Sequence, residues 1–376
     1  MSGMSGAVRR WTTVLAMEEL RRARRERLAA WTAAHDLDAL LVTRLVNVRY
    51  LTGLDSSNAA LLVPADGPPV LATDGRYAGT AARVCPELEA VIDRHTAEKL
   101  LERAAAAGAR RLGFEPHAVT VERHTGLTRA APDGLELRPA GRPVEELRTV
   151  KDDAELALLA EACAITDRAF DAVLPMLRPG VTEREIAVAL ERRMVDLGAE
   201  RPAFDSIVAS GPNGAIPHHR PGDRPLARGD LVTMDFGARR GGYHADMTRT
   251  VAIGAAADWQ RDLYDLVRRA QQAAVEAARP GAETRDVDAA ARDLIAAAGH
   301  GGDFTHGVGH GVGLEIHEAP LLGYDRTGKL VDRVPITAEP GIYLAGRGGV
   351  RIEDTLVART GGPELLTTTT KDLLVL

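Results

Sequence analysis

Short apolar runs alternate with amphipathic stretches along the first 145 residues of the chain. Between Met17 and His35, apolar residues recur at helical spacing, which predicts a helix whose arginines face solvent. A second helix is predicted around residues 96–107, ending at Gly108. Three apolar runs bounded by turn residues predict buried strands, 39–42, 59–63 and 70–72, and the segment 111–115 predicts another strand. This alternation predicts a compact α/β domain over residues 1–145.

A second domain is predicted over residues 146–376. Residues 145–177 contain no glycine or proline before Pro175, and their apolar side chains form one stripe, which predicts a single long helix. Thr182 and Glu185 form a Thr-x-x-Glu capping box, so we expect the next helix to begin there. The pattern beyond it predicts three strand segments and two helices: 231–236, 243–253 and 350–358, then 258–278 and 284–298.

Composition and charge narrow the possible classes of protein. The chain has 376 residues, of which 45% are hydrophobic and 27% charged, so a folded globular protein is expected. The 47 Lys and Arg residues against 53 Asp and Glu residues give a net charge of −6, so no nucleic-acid partner is expected. Cys85 and Cys163 lie far apart and outside any CxxC pattern, which indicates neither a disulfide framework nor a Cys-rich zinc site.

The sequence also predicts where the protein resides. The arginines near the N-terminus are not followed by the apolar core of a signal peptide. No apolar stretch approaches the length of about 20 residues that is needed to span a bilayer. We therefore expect a cytoplasmic protein without a membrane partner.

Two aspartates flank one predicted hairpin. Asp235 lies in the apolar segment 231–237, Asp246 lies in the segment 243–251, and a turn at 238–242 separates them. An unpaired buried carboxylate is so unfavourable that it normally has a partner or binds a metal. Cross-strand pairing would bring both carboxylates to one face. The alternative, that both are turn or helix-capping aspartates, stays open on this segment alone.

Three histidines lie within residues 305–318. His306 and His310 are four residues apart, a spacing that on a helix presents both side chains to one metal. The interleaved glycines would each destabilise a helix by about 1 kcal/mol. We therefore expect an extended chain, with His306 and His310 on one face and His317 on the other.

The third cluster combines Glu339 with Arg351 and Glu353. Glu339 directly precedes the turn Pro340-Gly341, which fixes its backbone. Arg351 and Glu353 share one face of a predicted strand. A turn glutamate and a surface ion pair between Arg351 and Glu353 are the alternatives.

Together the three clusters supply four carboxylates and one imidazole: Asp235, Asp246, His310, Glu339 and Glu353. Such an oxygen-rich set suits Mn²⁺ and also accepts Co²⁺ or Zn²⁺. Four carboxylates in one pocket would repel one another, and two divalent ions would balance their charge. Two metal ions about 3.5–4 Å apart are a known hydrolytic arrangement.

The order of the motifs resembles that of the pita-bread metallopeptidases, peptidase family M24, and specifically the Xaa-Pro peptidases aminopeptidase P and prolidase. The motifs are SGPNGAIPHH (210–219), MDFG (234–237), DMTRT (246–250), HGVGHGVGLEIHE (306–318), EPGIY (339–343) and RIED (351–354). The segments DALLVT (38–43) and NVRYLTG (47–53) also resemble the family's smaller domain. The resemblance implies an α+β protein: a C-terminal pita-bread fold, as in creatinase and the aminopeptidases, after a smaller N-terminal α/β domain of the creatinase N-terminal type.

The resemblance also implies roles for individual residues. It assigns His218 and His317 to the substrate carbonyl or the tetrahedral intermediate, and Glu339 to proton transfer from water to the leaving nitrogen. His306 and Arg351 match positions near the substrate pocket and the metal shell. The ligands of two divalent metal ions, with Mn²⁺ preferred and Co²⁺ or Zn²⁺ possible, are then Asp235, Asp246, His310, Glu339 and Glu353.

The implied function is a dinuclear-metal-dependent hydrolase that acts on peptides with proline in second position. It would remove the N-terminal residue from Xaa-Pro peptides or cleave Xaa-Pro dipeptides, and it would form a homodimer or higher homo-oligomer. The alternatives are a creatinase-like C–N hydrolase, a methionine aminopeptidase and an inactive binding protein of the same fold. The intact ligand set disfavours the first and the last. Methionine aminopeptidases lack a first domain of this kind.

Overall fold

The structure, a computed structural model, describes the backbone of residues 6–376 and the side chains from Met17 onward. The chain divides into two compact units, one ending at Arg148 and the other comprising Thr149–Leu376. The boundary between residues 145 and 146 falls inside the helix Pro143–Thr149 and stays a prediction.

A mixed six-stranded sheet forms the centre of the first unit. Its strands are β1 (Ala39–Val42), β2 (Ala59–Pro64), β3 (Val70–Thr73), β4 (Glu89–Ile92), β5 (Arg111–Phe114) and β6 (Glu136–Pro139), in the order β4-β3-β2-β1-β5-β6. The helices are α1 (Gly6–Ala34), α2 (Leu45–Thr52), α3 (Ala78–Val84), α4 (Thr96–Ala106), α5 (Val121–Ala130) and α6 (Pro143–Thr149). Every residue of β1 is buried, which explains its uninterrupted apolar run. The four predicted strands and the helix predicted around 96–107 are confirmed.

The expectation that the arginines of α1 face solvent is wrong for two of them. Arg24 donates a hydrogen bond to the Tyr50 carbonyl and lies over the Tyr50 ring, 4.1 Å from its centroid. Arg25 donates to the Leu51 carbonyl and pairs with Glu87 at 2.8 Å. Backbone carbonyls, the Tyr50 ring and a carboxylate compensate the burial of these two guanidinium groups.

The second unit contains four α-helices and thirteen short strands. The helices are α7 (Asp153–Val173), α8 (Glu183–Asp196), α9 (Asp258–Ala277) and α10 (Thr284–Ala297). The strands are β7 (Arg201–Pro202), β8 (Ile207–Ser210), β9 (Leu231–Phe236), β10 (Ala238–Arg240), β11 (Tyr243–His244), β12 (Met247–Ala252), β13 (Gly309–Gly311), β14 (Glu318–Leu322), β15 (Val334–Ala338), β16 (Gly341–Leu344), β17 (Gly348–Arg351), β18 (Asp354–Ala358) and β19 (Glu364–Leu365).

Two helix pairs of this unit each pack on a sheet. The apolar faces of α7 and α8 share a core with the sheet β12-β9-β8, in which Phe170 stacks on Phe236. The faces of α9 and α10 share a second core with β15 and β18 of the sheet β14-β13-β15-β18-β19. The helices predicted at 258–278 and 284–298 are α9 and α10, so both predictions are confirmed.

The single helix predicted over residues 145–177 is wrong, because the chain bends between α6 and α7. Asp152 caps α7 by accepting a hydrogen bond from the Glu155 N–H at 2.9 Å, and the Glu155 carboxylate accepts from the Asp152 N–H at 2.9 Å. Lys151, at the bend, is buried and pairs with Glu318 at 2.9 Å. A capping box and a buried ion pair therefore end one helix and start another. The predicted Thr182/Glu185 box is confirmed at the start of α8.

The hairpin predicted around Asp235 is present, but its second strand is interrupted. β9 and β12 pair antiparallel, with Asp235 opposite Thr248. The segments 243–253 and 350–358 were each predicted as one strand, and each leaves the ladder for two residues. These two breaks contain Asp246 and Glu353.

Hydrogen bonds join the two breaks to the opposite sheet. The Thr355 hydroxyl donates to the Asp246 carbonyl at 2.7 Å and accepts from the Asp246 N–H at 3.3 Å. The Glu353 N–H donates to the Thr248 carbonyl at 3.1 Å. Both carboxylates therefore lie where the two sheets meet.

No helix within the described part of the chain is both long and apolar enough to cross a membrane. Cys85 and Cys163 are buried free thiols, as their separation in the sequence predicts.

Replacing Asp152 with Ala should lower the free energy of unfolding by about 1 kcal/mol, because the N-cap of α7 is lost. Denaturant unfolding measures the change. The control is Asp153→Ala, since Asp153 is 91% exposed and only pairs with Arg333 at the surface. Its loss should stay below about 0.5 kcal/mol. Equal losses in the two variants would contradict the capping role.

Candidate active site

The predicted site residues converge on one cleft of the second unit, with a volume of about 1060 Å³. Eight of them line it: His218, Asp235, Asp246, His306, His310, His317, Glu339 and Arg351. Glu353 lies behind the cleft wall and is 1% exposed. The fold thus brings together residues that are more than 130 positions apart in the sequence.

His310 lies at the centre of the carboxylates. Its Nε2 atom is 3.5 Å from an Asp246 oxygen and 3.4 Å from a Glu339 oxygen. Ligand atoms of Asp246, His310 and Glu353 all lie within 4.8 Å of one another. The His310 Nδ1 atom is 3.0 Å from the Gly311 carbonyl, which can only accept, so Nδ1 carries the proton. The Nε2 lone pair therefore faces the carboxylates, the orientation that a metal ligand needs.

Glycine is required on both sides of His310. A Cβ atom at Gly309 would lie 2.1 Å from the Thr337 carbonyl oxygen, and one at Gly311 would lie 2.3 Å from the Ala319 carbonyl oxygen. The backbone of β13 is thus pressed between β14 and β15. This close approach explains the interleaved glycines that argued against a helix.

Asp235 is held by a chain of hydrogen bonds across the cleft wall. Arg351 Nη2 lies 2.6 Å from an Asp235 oxygen, and Arg351 Nη1 donates to the Tyr343 hydroxyl at 2.8 Å. The hydroxyl is 2.8 Å from His306 Nε2. Because His306 Nδ1 faces the Gly307 carbonyl at 2.8 Å, Nε2 is the acceptor and Tyr343 donates to it. The chain fixes the guanidinium against Asp235.

Two alternatives from the sequence are thereby excluded. Arg351 and Glu353 are buried and bind other partners, so they do not form a surface ion pair. Asp235 and Asp246 face a common cleft and are not turn or capping residues. Sequence reasoning missed Tyr343, although it ends the EPGIY motif that begins with Glu339.

The position of His317 differs from the expectation. Its ring lies edge-on to that of His310, with centroids 4.3 Å apart, rather than on the opposite face. The chain is extended only over Gly309–Gly311 and bends before His317. His317 and His218 are both exposed to the cleft. The pKa of His317 is lowered mainly by its partial desolvation within the cleft and, to a smaller extent, by the neighbouring His310.

Buried partners also fix the bend before His317. The Glu318 carboxylate pairs with buried Lys151 and accepts from the Glu315 N–H at 3.0 Å. His244 Nδ1 donates to the Gly313 carbonyl at 3.0 Å, and the His244 N–H donates to the same oxygen at 2.8 Å. Of these supports, the sequence motifs contain Gly313, Glu315 and Glu318 but neither Lys151 nor His244.

The carboxylates are electrostatically unsatisfied. Burial raises the pKa of Asp235, and burial together with the charges of Asp235 and Glu339 raises the pKa of Asp246 well above its usual range. Burial and the charge of Asp246 do the same for Glu353. Among the described side chains, no donor reaches Asp235 Oδ1 or Glu353 Oε1, although both atoms are buried. Oxygen atoms that face one another without donors fit divalent metal ions.

Comparisons with known proteins show the family to which the chain belongs. The metallopeptidase family M24 matches residues 157–360, and the creatinase/prolidase N-terminal domain matches residues 24–150. The chain is 36% identical over 352 residues to the Xaa-Pro dipeptidase of Pyrococcus horikoshii, covering 90% of this chain and 95% of that protein.

Solved structures are similar over nearly the whole chain. The Xaa-Pro dipeptidase from Bacillus anthracis superposes with a TM-score of 0.91 at 36% identity, covering 95% of this chain and 100% of that one. The X-Pro aminopeptidase from Thermotoga maritima superposes with a TM-score of 0.84 at 33% identity, covering 90% and 98%. These similarities confirm the predicted fold class.

Stability should depend on pH through His244. Burial lowers the pKa of His244 to about 4, whereas the unfolded side chain has a pKa of about 6.5. As the pH falls through this window the unfolded state takes up the extra proton, so the folded state loses stability. His244→Gln keeps a donor but does not titrate, so it should reduce the loss between pH 6.5 and 4 by about 1–3 kcal/mol. Denaturant unfolding across this range measures the difference, and parallel profiles for the two proteins would contradict it.

Proposed function

The chain belongs to metallopeptidase family M24, and from that premise we propose that this peptidase hydrolyses the bond between an N-terminal residue and a following proline. The observation that carries the proposal is the convergence of His310 with three carboxylates that line the cleft and a fourth, Glu353, directly behind its wall. Two of the buried carboxylate oxygens are reached by no described donor. The similar proteins named Xaa-Pro dipeptidase and X-Pro aminopeptidase support the choice of proline.

We infer that two divalent metal ions, with Mn²⁺ preferred over Co²⁺ or Zn²⁺, are held by five residues: Asp235, Asp246, His310, Glu339 and Glu353. The four carboxylates bring a formal charge of −4, which two divalent ions balance. Bound metal ions of this kind lower the pKa of water and polarise a carbonyl oxygen.

The chain's own residues supply the remaining steps. The Glu339 side chain is 18% exposed at the cleft, so it can take a proton from the attacking water and pass it to the leaving proline nitrogen. His218 and His317 face the same cleft and donate to the oxygen that becomes negative during attack. Arg351 neutralises part of the charge of Asp235 and holds its orientation.

Proline in the second position suits this chemistry. The proline nitrogen carries no N–H, so an enzyme cannot bind the scissile bond through that donor. A site that binds and polarises the carbonyl group of the scissile bond does not need an N–H donor from the substrate. We propose a dipeptide as the preferred substrate, because two of the similar proteins, each 36% identical, are named Xaa-Pro dipeptidases.

The assembly and location are also part of the proposal. We infer a homodimer or higher homo-oligomer in the cytoplasm. Closed two-fold symmetry is the commonest assembly of soluble proteins. Light scattering of the purified chain measures the oligomeric state.

The function is tested with the Mn²⁺-supplied protein on three peptides: Leu-Pro, Leu-Pro-Gly and Leu-Ala. We expect release of free leucine from Leu-Pro, slower release from Leu-Pro-Gly and little from Leu-Ala. If Leu-Pro-Gly is cleaved faster than Leu-Pro, the preferred substrate is a longer peptide and not a dipeptide. Failure to cleave either proline peptide, or hydrolysis of creatine instead, would overturn the proposal.

Metal content provides a readout that does not depend on activity. Asp246→Asn and Glu353→Gln should each retain less than half of the metal bound by the unaltered protein, because each loses a charged ligand. The matched control is Asp230→Asn, since Asp230 is also buried but pairs with Arg224 and does not line the cleft. Mass spectrometry of the elements after dialysis measures the ions per chain. Full occupancy in both ligand variants would contradict the assignment.

The two exposed histidines should affect turnover but not metal content. His218→Ala and His317→Ala should each lower kcat by about 10²–10³-fold, the effect of losing one donor to the developing oxyanion. His300→Ala is the control, because His300 follows α10, pairs with Asp303 and does not line the cleft. Near-normal turnover in either cleft variant would remove that histidine from the mechanism.

A further inference from the structure

One buried carboxylate next to the cleft has no part in the proposed chemistry. Glu183 is the first residue of α8, and its side chain is completely buried. It does not line the cleft. A buried glutamate requires hydrogen-bond donors, so its donors show which part of the chain the carboxylate holds in place.

Among the described residues, five donors reach Glu183, and all of them belong to the segment 210–222. Oε1 accepts from the Ser210 N–H at 2.8 Å, the Ser210 hydroxyl at 2.7 Å and the Asn213 amide at 2.9 Å. Oε2 accepts from His219 Nε2 at 2.8 Å and the Gly222 N–H at 3.2 Å. The carboxylate therefore holds the segment at four residues, Ser210 and Asn213 near its start and His219 and Gly222 near its end.

His218 lies between the anchors Asn213 and His219. Its neighbour His219 is turned inward to Glu183, whereas His218 is exposed and lines the cleft. The His219 N–H donates to the Ile216 carbonyl at 3.2 Å, which closes a turn around His218, so holding His219 inward fixes the turn that presents His218 to the cleft. The segment also packs against the backbone of β17, since a Cβ atom at Gly214 would lie 3.1 Å from the Gly349 nitrogen.

A glutamine cannot replace this carboxylate. Each carboxylate oxygen of Glu183 accepts at least two hydrogen bonds, whereas a glutamine amide offers one accepting oxygen and one donating nitrogen. In either orientation of the amide, its NH₂ group would face two or three donors of the segment. The segment would therefore shift or loosen without any change in the size of the side chain.

We propose that Glu183 is a positioning residue for the peptidase reaction: it holds segment 210–222 so that His218 reaches the substrate carbonyl. The inference rests on the proposed function, because it uses the role given there to His218. A purely structural role for Glu183 would instead lower stability and leave the contribution of His218 to turnover unchanged.

The test is a double-mutant cycle between Glu183→Gln and His218→Ala, with Leu-Pro as substrate. Glu183→Gln alone should lower kcat by about 10–100-fold, part of the effect of losing one oxyanion donor. KM should change little if His218 acts mainly in the transition state. In the His218→Ala background, Glu183→Gln should change kcat by less than about twofold, because residues that act as one unit are not additive.

Glu185→Gln is the matched control. Glu185 lies two residues further along α8, undergoes the same loss of charge and bonds only to its own cap at Thr182. Its kcat should stay within about twofold of the unaltered enzyme, since a lost cap acts on helix stability and not on the cleft.

If Glu183→Gln folds poorly, the variant Asn213→Ala and hydrogen-exchange measurements still test the proposal. Asn213→Ala removes one donor to Glu183 and should lower kcat in the same direction by a smaller factor. Hydrogen exchange should be faster at the Ser210 and Gly222 amides in Glu183→Gln, and unchanged in β9 and β12. This readout does not require activity.

The outcomes separate the two proposals. If Glu183→Gln lowers kcat by the same factor with and without His218, Glu183 is structural and the inference is overturned. If amide exchange in the segment is unchanged, the anchoring itself is overturned. If His218→Ala alone leaves kcat unchanged, the role of His218 fails first, and the inference fails with it.

Discussion

Mutual repulsion among four carboxylates, three of them buried and Glu339 half-buried, is the constraint around which the second unit is built. Like charges a few ångströms apart in a low-dielectric site repel strongly, and each further loses the hydration it would have in water. Arg351 compensates one of them, Asp235. The pKa values of Asp246 and Glu353 are raised because burial and the neighbouring charges oppose ionisation. The two divalent cations proposed above would offset this repulsion.

The backbone departs from regular strand structure where two of these carboxylates occur. Asp246 and Glu353 lie in breaks between strands, and hydrogen bonds with Thr355 and Thr248 replace the missing ladder. Behind Glu353, the buried pair Arg249–Asp354 ties β12 to β18. Replacing Asp354 would therefore disturb the fold as well as the site, which makes it a poor control for metal binding.

The two histidines that are exposed to the cleft, His218 and His317, are supported in the same way. Each lies on an irregular segment that a buried carboxylate fixes: Glu318 beside His317, and Glu183 around His218. Lys151 neutralises Glu318, whereas Glu183 relies on hydrogen bonds. Irregular chain gives each histidine access to the cleft, and the buried carboxylate restores the rigidity that such chain lacks.

Local patterns predicted most of the elements, and the motifs placed the chemistry, because apolar periodicity and metal-ligand chemistry both act over short stretches of sequence. The errors came from long-range contacts. The helix predicted over 145–177 is interrupted because Lys151 forms an ion pair with Glu318, which is distant in the sequence. Arg24 is buried because it donates a hydrogen bond to the Tyr50 carbonyl. His317 joins His310 because of a bend that alternation along a strand does not include. Tyr343 matters through its contact with Arg351, which no local pattern indicates.

The central claim is that the converging carboxylates and His310 form one dinuclear metal centre. Crystals of the protein prepared with Mn²⁺ would test it directly by anomalous diffraction at the manganese edge. We expect two anomalous peaks per chain, each within coordination distance of side chains from the set of five proposed ligands. A single peak, or peaks at other residues in a protein that cleaves Xaa-Pro peptides, would contradict it.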